Sequence, residues 1–228
     1  MATRMEVLVA GGHGQIALRL LKLLSERGHR GRGLIRNPGH AADLEAVGAE
    51  PVLCDLESDD PRPHIGAAQA IVFAAGAGPG SGPERKRTVD LGAAVKLIEA
   101  AQELGVARYV MVSAMGTHDV EHAAEAMRPY LQAKKDADDA LMASGLDWTI
   151  VRPGRLTDAP GTGSVDAAPV LGRDGEITRD DTALVLLETL ERPALARVDF
   201  DVLGGPTPVG EALDALSTSL VPIAETIT

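Results

Sequence analysis

Short apolar runs alternate along the chain with longer stretches whose apolar residues recur every three to four positions. This alternation predicts strands followed by helices. The first unit is Met5–Leu24, MEVLVAGGHGQIALRLLKLL, in which Val7–Ala10 reads as a strand, Gly11–Gly14 as a turn and the remainder as a helix. That helix continues over Leu18–Glu26, with Leu20, Leu21, Leu23 and Leu24 on a wide apolar face and Gly28 as its C-cap. Gly31–Arg36 is a weak strand, Asn37-Pro38-Gly39 a turn, Ala41–Val47 a short helix closed by Gly48, and Glu50–Cys54 a third strand. Asp59–Gly66 is a proline-rich connection into a short helix, and Ala70–Ala75 is a strongly apolar strand. Gly76–Pro83, GAGPGSGP, has the composition of a flexible loop. A long helix is predicted over Glu84–Leu104, capped by Gly105, then a strand over Arg108–Ser113. Next come a helix over Tyr130–Ser144 with Pro129 at its start and a strand over Asp147–Arg152, stopped by Pro153-Gly154.

Beyond that point the pattern weakens. Thr157–Glu176 is rich in Gly, Pro, Asp and Thr and reads as loop; Asp180-Asp181 caps a helix over Ala183–Leu190. Arg197–Leu203 is a strand and Glu211–Ser217 a last helix. With no repeat and no linker, the expectation is one α/β domain over residues 1–228, a doubly wound parallel sheet with a small C-terminal extension and a variable substrate region from about 154 onward. Such a sheet binds ligands beyond the carboxyl ends of its strands. Gly11–Gly14, Arg36, Asp55, Ala74–Gly76, Ser113 and Pro153 all fall there.

Composition narrows the partners. A net charge of −11 argues against nucleic acid and anionic membranes, though local arginines still permit an anionic cofactor. A single cysteine, Cys54, forbids an internal disulfide and suggests a reducing compartment. The N-terminus lacks a signal-peptide pattern and no apolar run reaches membrane-spanning length, so a cytoplasmic protein, monomer or homodimer, is expected.

The glycine turn carries the first chemical signal. Gly11, Gly14 and Ala17 follow the G-x-x-G-x-x-A spacing between a strand and a helix. Glycines allow a tight turn, and the helix start at Gln15 and Ile16, beside His13, offers N–H groups and a positive dipole end to a pyrophosphate. An NAD site usually has an acid about 20 positions on. Here that window, Gly31–Arg36, holds two arginines and no acid, which favours NADP over NAD with Arg36 as the reader of the phosphate. Asp55, followed by Leu56, is a candidate acceptor for the adenine amino group, or a plain turn former. Ala74, Ala75 and Gly76 close the opposite side.

Tyr130 and Lys134 stand four apart and share a helix face. An ammonium beside a phenol favours phenolate, so such a tyrosine can exchange a proton with a carbonyl or alcohol as hydride moves. Lys134 is also placed to bond a nicotinamide ribose, and Ser113, at the end of YVMVS, to hold a substrate oxygen. His118–His122 matches H-x-x-E-H, but lies in a polar stretch that reads as a solvated loop rather than a metal site. Arg85-Lys86-Arg87 reads as a solvated face, and Trp148 as a core residue.

Taken together, VAGGHGQIA (9–17), LIRNP (34–38), CDL (54–56), VSAMG (112–116), RPYLQAKKDADDAL (128–141) and GLDWTIVRPGRLTD (145–158) resemble the short-chain dehydrogenase/reductase superfamily. The similarity is to its atypical branch of small NAD(P)-binding proteins. The resemblance implies a Rossmann-like fold, a nicotinamide dinucleotide, the roles given above for Ser113, Tyr130 and Lys134, and a place for Pro153 and Gly154 near the nicotinamide. His13 stands where that family more often has Thr or Ser. The leading functional expectation is NADP-dependent hydride transfer on a small carbonyl or alcohol. The alternatives are a non-catalytic NADPH sensor and an NAD-dependent epimerase/dehydratase.

Overall fold

Nine strands join into one sheet in the order β11-β8-β10-β6-β5-β4-β1-β2-β3, in a computed structural model that describes residues 4–76 and 86–219. The strands are β1 (Glu6–Ala10), β2 (Arg30–Ile35), β3 (Glu50–Leu53), β4 (Ala70–Phe73), β5 (Arg108–Val112), β6 (Asp147–Pro153), β7 (Arg155–Thr157), β8 (Ser164–Ala168), β9 (Glu176–Thr178), β10 (Val198–Gly204) and β11 (Thr207–Pro208). The helices are α1 (Gln15–Glu26), α2 (Ala41–Ala46), α3 (Arg62–Ile65), α4 (Ala93–Leu104), α5 (Arg128–Ala143), α6 (Arg179–Leu190) and α7 (Val209–Ser219).

The pairing from β3 through β10 is parallel throughout. Only β8 runs antiparallel, between β10 and β11. Alternate residues of one strand enter opposite cores, as a strand buried on both faces requires. Val7 and Val9 pack with Leu20, Leu21 and Leu24 of α1 and with α6 and α7. Leu8 and Ala10 pack with Ile65 of α3, Leu97 and Ala101 of α4 and Leu141 of α5. The chain is therefore doubly wound, and strand order reverses direction between β1 and β4, where such sheets form their ligand crevice.

β2 is firmer than its glycine-rich sequence suggests. A Cβ at Gly31 would lie 2.8 Å from Leu21 Cδ2, and one at Gly33 2.4 Å from Leu44 Cδ2. The glycines are there to let α1 and α2 lie directly on the strand. Trp148 is buried in the second core, as expected.

Three expectations are corrected. The stretch Thr157–Glu176 is not simply loop: it contains β8, and its ends belong to the parallel pair β7–β9. SVDAA is a short, half-buried strand without strict alternation, so the pattern does not announce it. Asp180-Asp181 does not cap α6. Thr178 does, its hydroxyl accepting from Asp181 N–H at 2.9 Å, while both aspartates lie in the first turn. The helix expected from Glu84 begins as a wider π-helical turn over Lys86–Gly92 and becomes α-helical only at Ala93. Most of the glycine-rich stretch 76–83, together with residues 84 and 85, lies outside the described residues.

Candidate functional site

The turn after β1 is shaped by close backbone approach on both sides. Gly11 has φ +75°, and a Cβ there would sit 2.7 Å from Ala75 Cα, just past β4. A Cβ on Gly12 would sit 2.7 Å from Gly33 Cα in β2. Gly12 N–H also donates to Leu34 O at 2.9 Å, locking the turn to that strand. Gly14 stands at the N-cap of α1 in an extended conformation, with no side chain capping the helix and no acid in its first turn. Gln15 is exposed and Ile16 half-buried at this end. Uncapped N–H groups at a bare glycine turn suit an anion, so the residues present fit a dinucleotide pyrophosphate. Ala74 and Ala75 are half-buried and Gly76 exposed on the facing side of the crevice.

The carboxyl end of β2 carries the basic groups. Arg36 is exposed and its Nη1 donates to Glu57 Oε2 at 3.4 Å. Asn37 accepts from Gly39 N–H at 2.9 Å, shaping the turn into α2. His13, from the glycine turn, stacks on His40, from this second turn, with ring centroids 3.6 Å apart and planes 12° from parallel. Asp55 makes a local turn: its Oδ1 accepts from Glu57 N–H at 3.0 Å and its own N–H donates to Asp59 Oδ2 at 2.7 Å. Leu56 is buried in the core, and its carbonyl accepts from Lys96 Nζ at 2.8 Å.

Tyr130 and Lys134 lie on α5, where Pro129 in the first turn needs no N–H partner. Tyr130 is half-buried and Lys134 is 5% exposed. Lys134 Nζ donates to Val112 O at 3.1 Å, the carbonyl immediately before Ser113, and lies 3.4 Å from Asp90 Oδ1. One buried ammonium thus ties α5 to the carboxyl end of β5 and to the π-helical turn. Ser113 is buried and its hydroxyl donates to Asp138 Oδ2 at 2.9 Å. Pro153 is buried at the end of β6. Gly154 is held by packing, since a Cβ there would lie 2.2 Å from Leu203 Cδ2 and 2.6 Å from Gly175 O.

Beneath Ser113 is a polar network that the motifs did not reveal. Asp138 Oδ2 also accepts from Thr117 Oγ1 at 3.4 Å and from Arg152 Nε at 3.2 Å. Arg152, 2% exposed, bonds onward to Asp199 and places Nη1 3.0 Å from His118 Nε2. Burial pushes the Asp138 carboxyl above the ordinary aspartate value, while Arg152, the Ser113 hydroxyl and Lys134 oppose the shift. Two signals could have pointed here: Asp138 lies four residues beyond Lys134, and Arg152 follows directly on the largely apolar residues 148–151. Of the H-x-x-E-H stretch, His118 faces this network, while His122 is exposed and lies 2.6 Å from Asp119.

A profile of the NAD(P)H-binding family matches residues 11–193, from the glycine turn to just past α6. The chain belongs to the NAD(P)H-binding family. Within this family's reach, an uncharacterised sugar epimerase of Bacillus subtilis, YhfK, is 44% identical over 216 residues, covering 93% of this chain and all of the relative. A solved structure from Bacillus halodurans, described as a candidate NAD-dependent epimerase/dehydratase, is 38% identical with a TM-score of 0.91, covering 93% of this chain and 100% of that one. The oxidoreductase YlbE of Lactococcus lactis is 25% identical with a TM-score of 0.82, covering 93% of this chain and 96% of that one. Family membership and the Rossmann-like architecture agree with the resemblance and the fold class expected from the sequence.

Proposed function

We propose that this NAD(P)H-binding protein is an NADP-dependent oxidoreductase that transfers hydride between the nicotinamide and a small carbonyl or alcohol. The observation that carries the reading is the buried Lys134, bonded to the carbonyl preceding Ser113 and four residues from Tyr130 on the same helix. The bound dinucleotide supplies or accepts the hydride. Tyr130 exchanges the proton with the substrate oxygen, and Lys134 favours the phenolate and offers N–H donors to a ribose. Ser113 holds the substrate oxygen. With Asp138 ionised, the Ser113 O–H is engaged by that carboxylate. With Asp138 protonated, the Ser113 O–H is released toward a carbonyl.

Arg36 reads the 2′-phosphate of NADP, its guanidinium exchanging Glu57 for a phosphate monoester. The test is a titration of NADPH and NADH by calorimetry, followed by NADPH oxidation over a panel of small carbonyls with wild type and Tyr130→Phe. The reading requires tight NADPH binding in both proteins and turnover only in wild type; full turnover by Tyr130→Phe overturns the assignment. Arg36→Asp is expected to lower the NADPH preference. The names of the Bacillus relatives support a second reading, an epimerase or dehydratase with NAD retained through the cycle. That reading requires nucleotide to be extracted from the purified protein on acid denaturation.

A further inference from the structure

We propose that Lys96 is a positioning residue for the loop after β3, its ammonium acting as an internal cation that holds Asp55 in place for the adenine of a dinucleotide. The inference rests on the NAD(P) reading above and extends it to a helix that reading does not use. Lys96 is the fourth residue of α4 and is half-buried. Its Nζ donates to three main-chain carbonyls of a single loop: Leu56 O at 2.8 Å, Asp59 O at 3.2 Å and Glu57 O at 3.3 Å. An ammonium has three N–H donors and no acceptor, so three converging carbonyls saturate it. A compact point charge amid carbonyl dipoles is how a bound monovalent cation is held, and here the chain supplies that cation itself.

The loop has reason to need a cation. Residues 55–60 read DLESDD, four acids in six positions, and their mutual repulsion favours an open loop. Around the ammonium the loop instead closes on itself. Asp55 O accepts from Ser58 N–H at 3.0 Å and from Asp59 N–H at 2.7 Å, and Asp55 N–H donates to Asp59 Oδ2 at 2.7 Å. Asp55 Oδ1 accepts from Glu57 N–H at 3.0 Å, which fixes the carboxylate. A carboxylate accepts up to about four hydrogen bonds, so this one has room for an adenine amino group. Cys54 N–H donates to Ile35 O at 2.9 Å, which sets the start of the loop beside the end of β2, on the side of the sheet where a dinucleotide lies. Lys96 is turned to the loop's carbonyls and acts through Asp55.

The experiment measures dissociation constants by calorimetry on the full chain for NADPH, NADH and the hypoxanthine analogue of NADPH, in which an oxo group replaces the adenine amino group. Wild type is compared with Lys96→Ala and Lys96→Met. Wild type should bind NADPH about tenfold more tightly than the analogue, the worth of one hydrogen bond to a carboxylate. Lys96→Ala should weaken NADPH and NADH alike by about tenfold and shrink the preference for adenine to about twofold or less. Propylammonium, which matches the group deleted from the lysine, should restore both affinity and preference. Tetramethylammonium at the same ionic strength has no N–H and should restore neither. Lys96→Met keeps the length of the side chain without its charge; it should behave like Lys96→Ala and carries the test if the alanine variant does not fold. Lys96 variants that keep the wild-type adenine preference overturn the proposal, whether affinity is unchanged, which shows no role, or lowered for all three nucleotides, which shows a structural one. Restoration by tetramethylammonium as well makes Lys96 a counter-charge only and also overturns it. A wild type without adenine preference removes the proposal and leaves the NAD(P) reading standing, whereas a wild type that binds neither coenzyme removes both.

Discussion

Replacing Gly12 by alanine is the sharpest probe of how the crevice is built. Gly12 is absent from the left-handed glycines of this chain, so an alanine there suffers no backbone strain. The difficulty is contact alone. The new methyl would lie 2.7 Å from Gly33 Cα, 2.9 Å from Gly33 C and 3.2 Å from Leu34 N. Ordinary carbon contacts are roughly 3.5–4.0 Å, so the turn and β2 must part by most of an ångström. All three obstructing atoms are backbone, and no rotamer change relieves them. β2 has little room to yield, because Leu44 and Leu21 already lie against the Gly33 position. Overpacking of this kind costs about 1–3 kcal/mol, here toward the upper end. For a chain of this size that lowers Tm by about 4–10 °C. Because parting from β2 drives the turn toward the β4 end, where Gly11 already lies close against Ala75, the start of α1 is displaced and NADPH affinity should fall as well. The control is Gly28→Ala, where φ is +81° and no atom lies within 4 Å of the added carbon. It should cost about 1–2 kcal/mol through strain alone and leave NADPH affinity unchanged. Calorimetric melting and NADPH titration of both variants decide the matter. A Gly12→Ala protein with wild-type Tm and wild-type affinity refutes the close-approach argument.

Cys54 is 2% exposed, and burial, with Asp59 and Asp55 adding to it, pushes its thiol from 9.0 up to about 11. At pH 8 the native thiolate fraction is then about a hundredfold below that of the unfolded chain, so iodoacetamide should label Cys54 only in urea. The same raised value means that this group's contribution to stability is intact below pH 9.0 and is lost as pH climbs toward about 11, which a series of urea midpoints can follow. Thr178→Ala removes the cap of α6 and should lower stability by about 1 kcal/mol in urea titration, whereas Asp180→Asn should cost less, since Asp180 does not cap. Lys134→Ala removes the buried ammonium that donates to Val112 O and lies 3.4 Å from Asp90, and should lower stability by about 1–3 kcal/mol in urea titration, beyond any loss of activity.

Much of the site was legible because its requirements are local. A strand, a glycine turn and a helix within one short segment define an anion-binding helix start, and Tyr130 and Lys134 share a face by helical period alone. Arg36 is a candidate by its distance from the glycines, whereas the His13–His40 stack has no such signal, because the two rings are 27 positions apart and meet only when two turns pack together. The network of Asp138, Arg152, Ser113 and Thr117 was hidden for the same reason. Its members come from α5, β6 and the segment after β5, and chain order does not state that they meet. β8 escaped notice because a short antiparallel strand held between β10 and β11 draws its order from its neighbours and needs no strong pattern of its own.

By itself the sequence determined the alternation of strands and helices, the doubly wound class and the dinucleotide turn, since periodicity and glycine placement act over a few residues. Only the tertiary structure decided which groups meet: that Lys134 reaches the carbonyl before Ser113, that the Ser113 hydroxyl donates a hydrogen bond to Asp138, and that His40 rests on His13. Hydrogen bonds and ring contacts act over about 3–4 Å, and chain order does not state which distant residues are brought within that range.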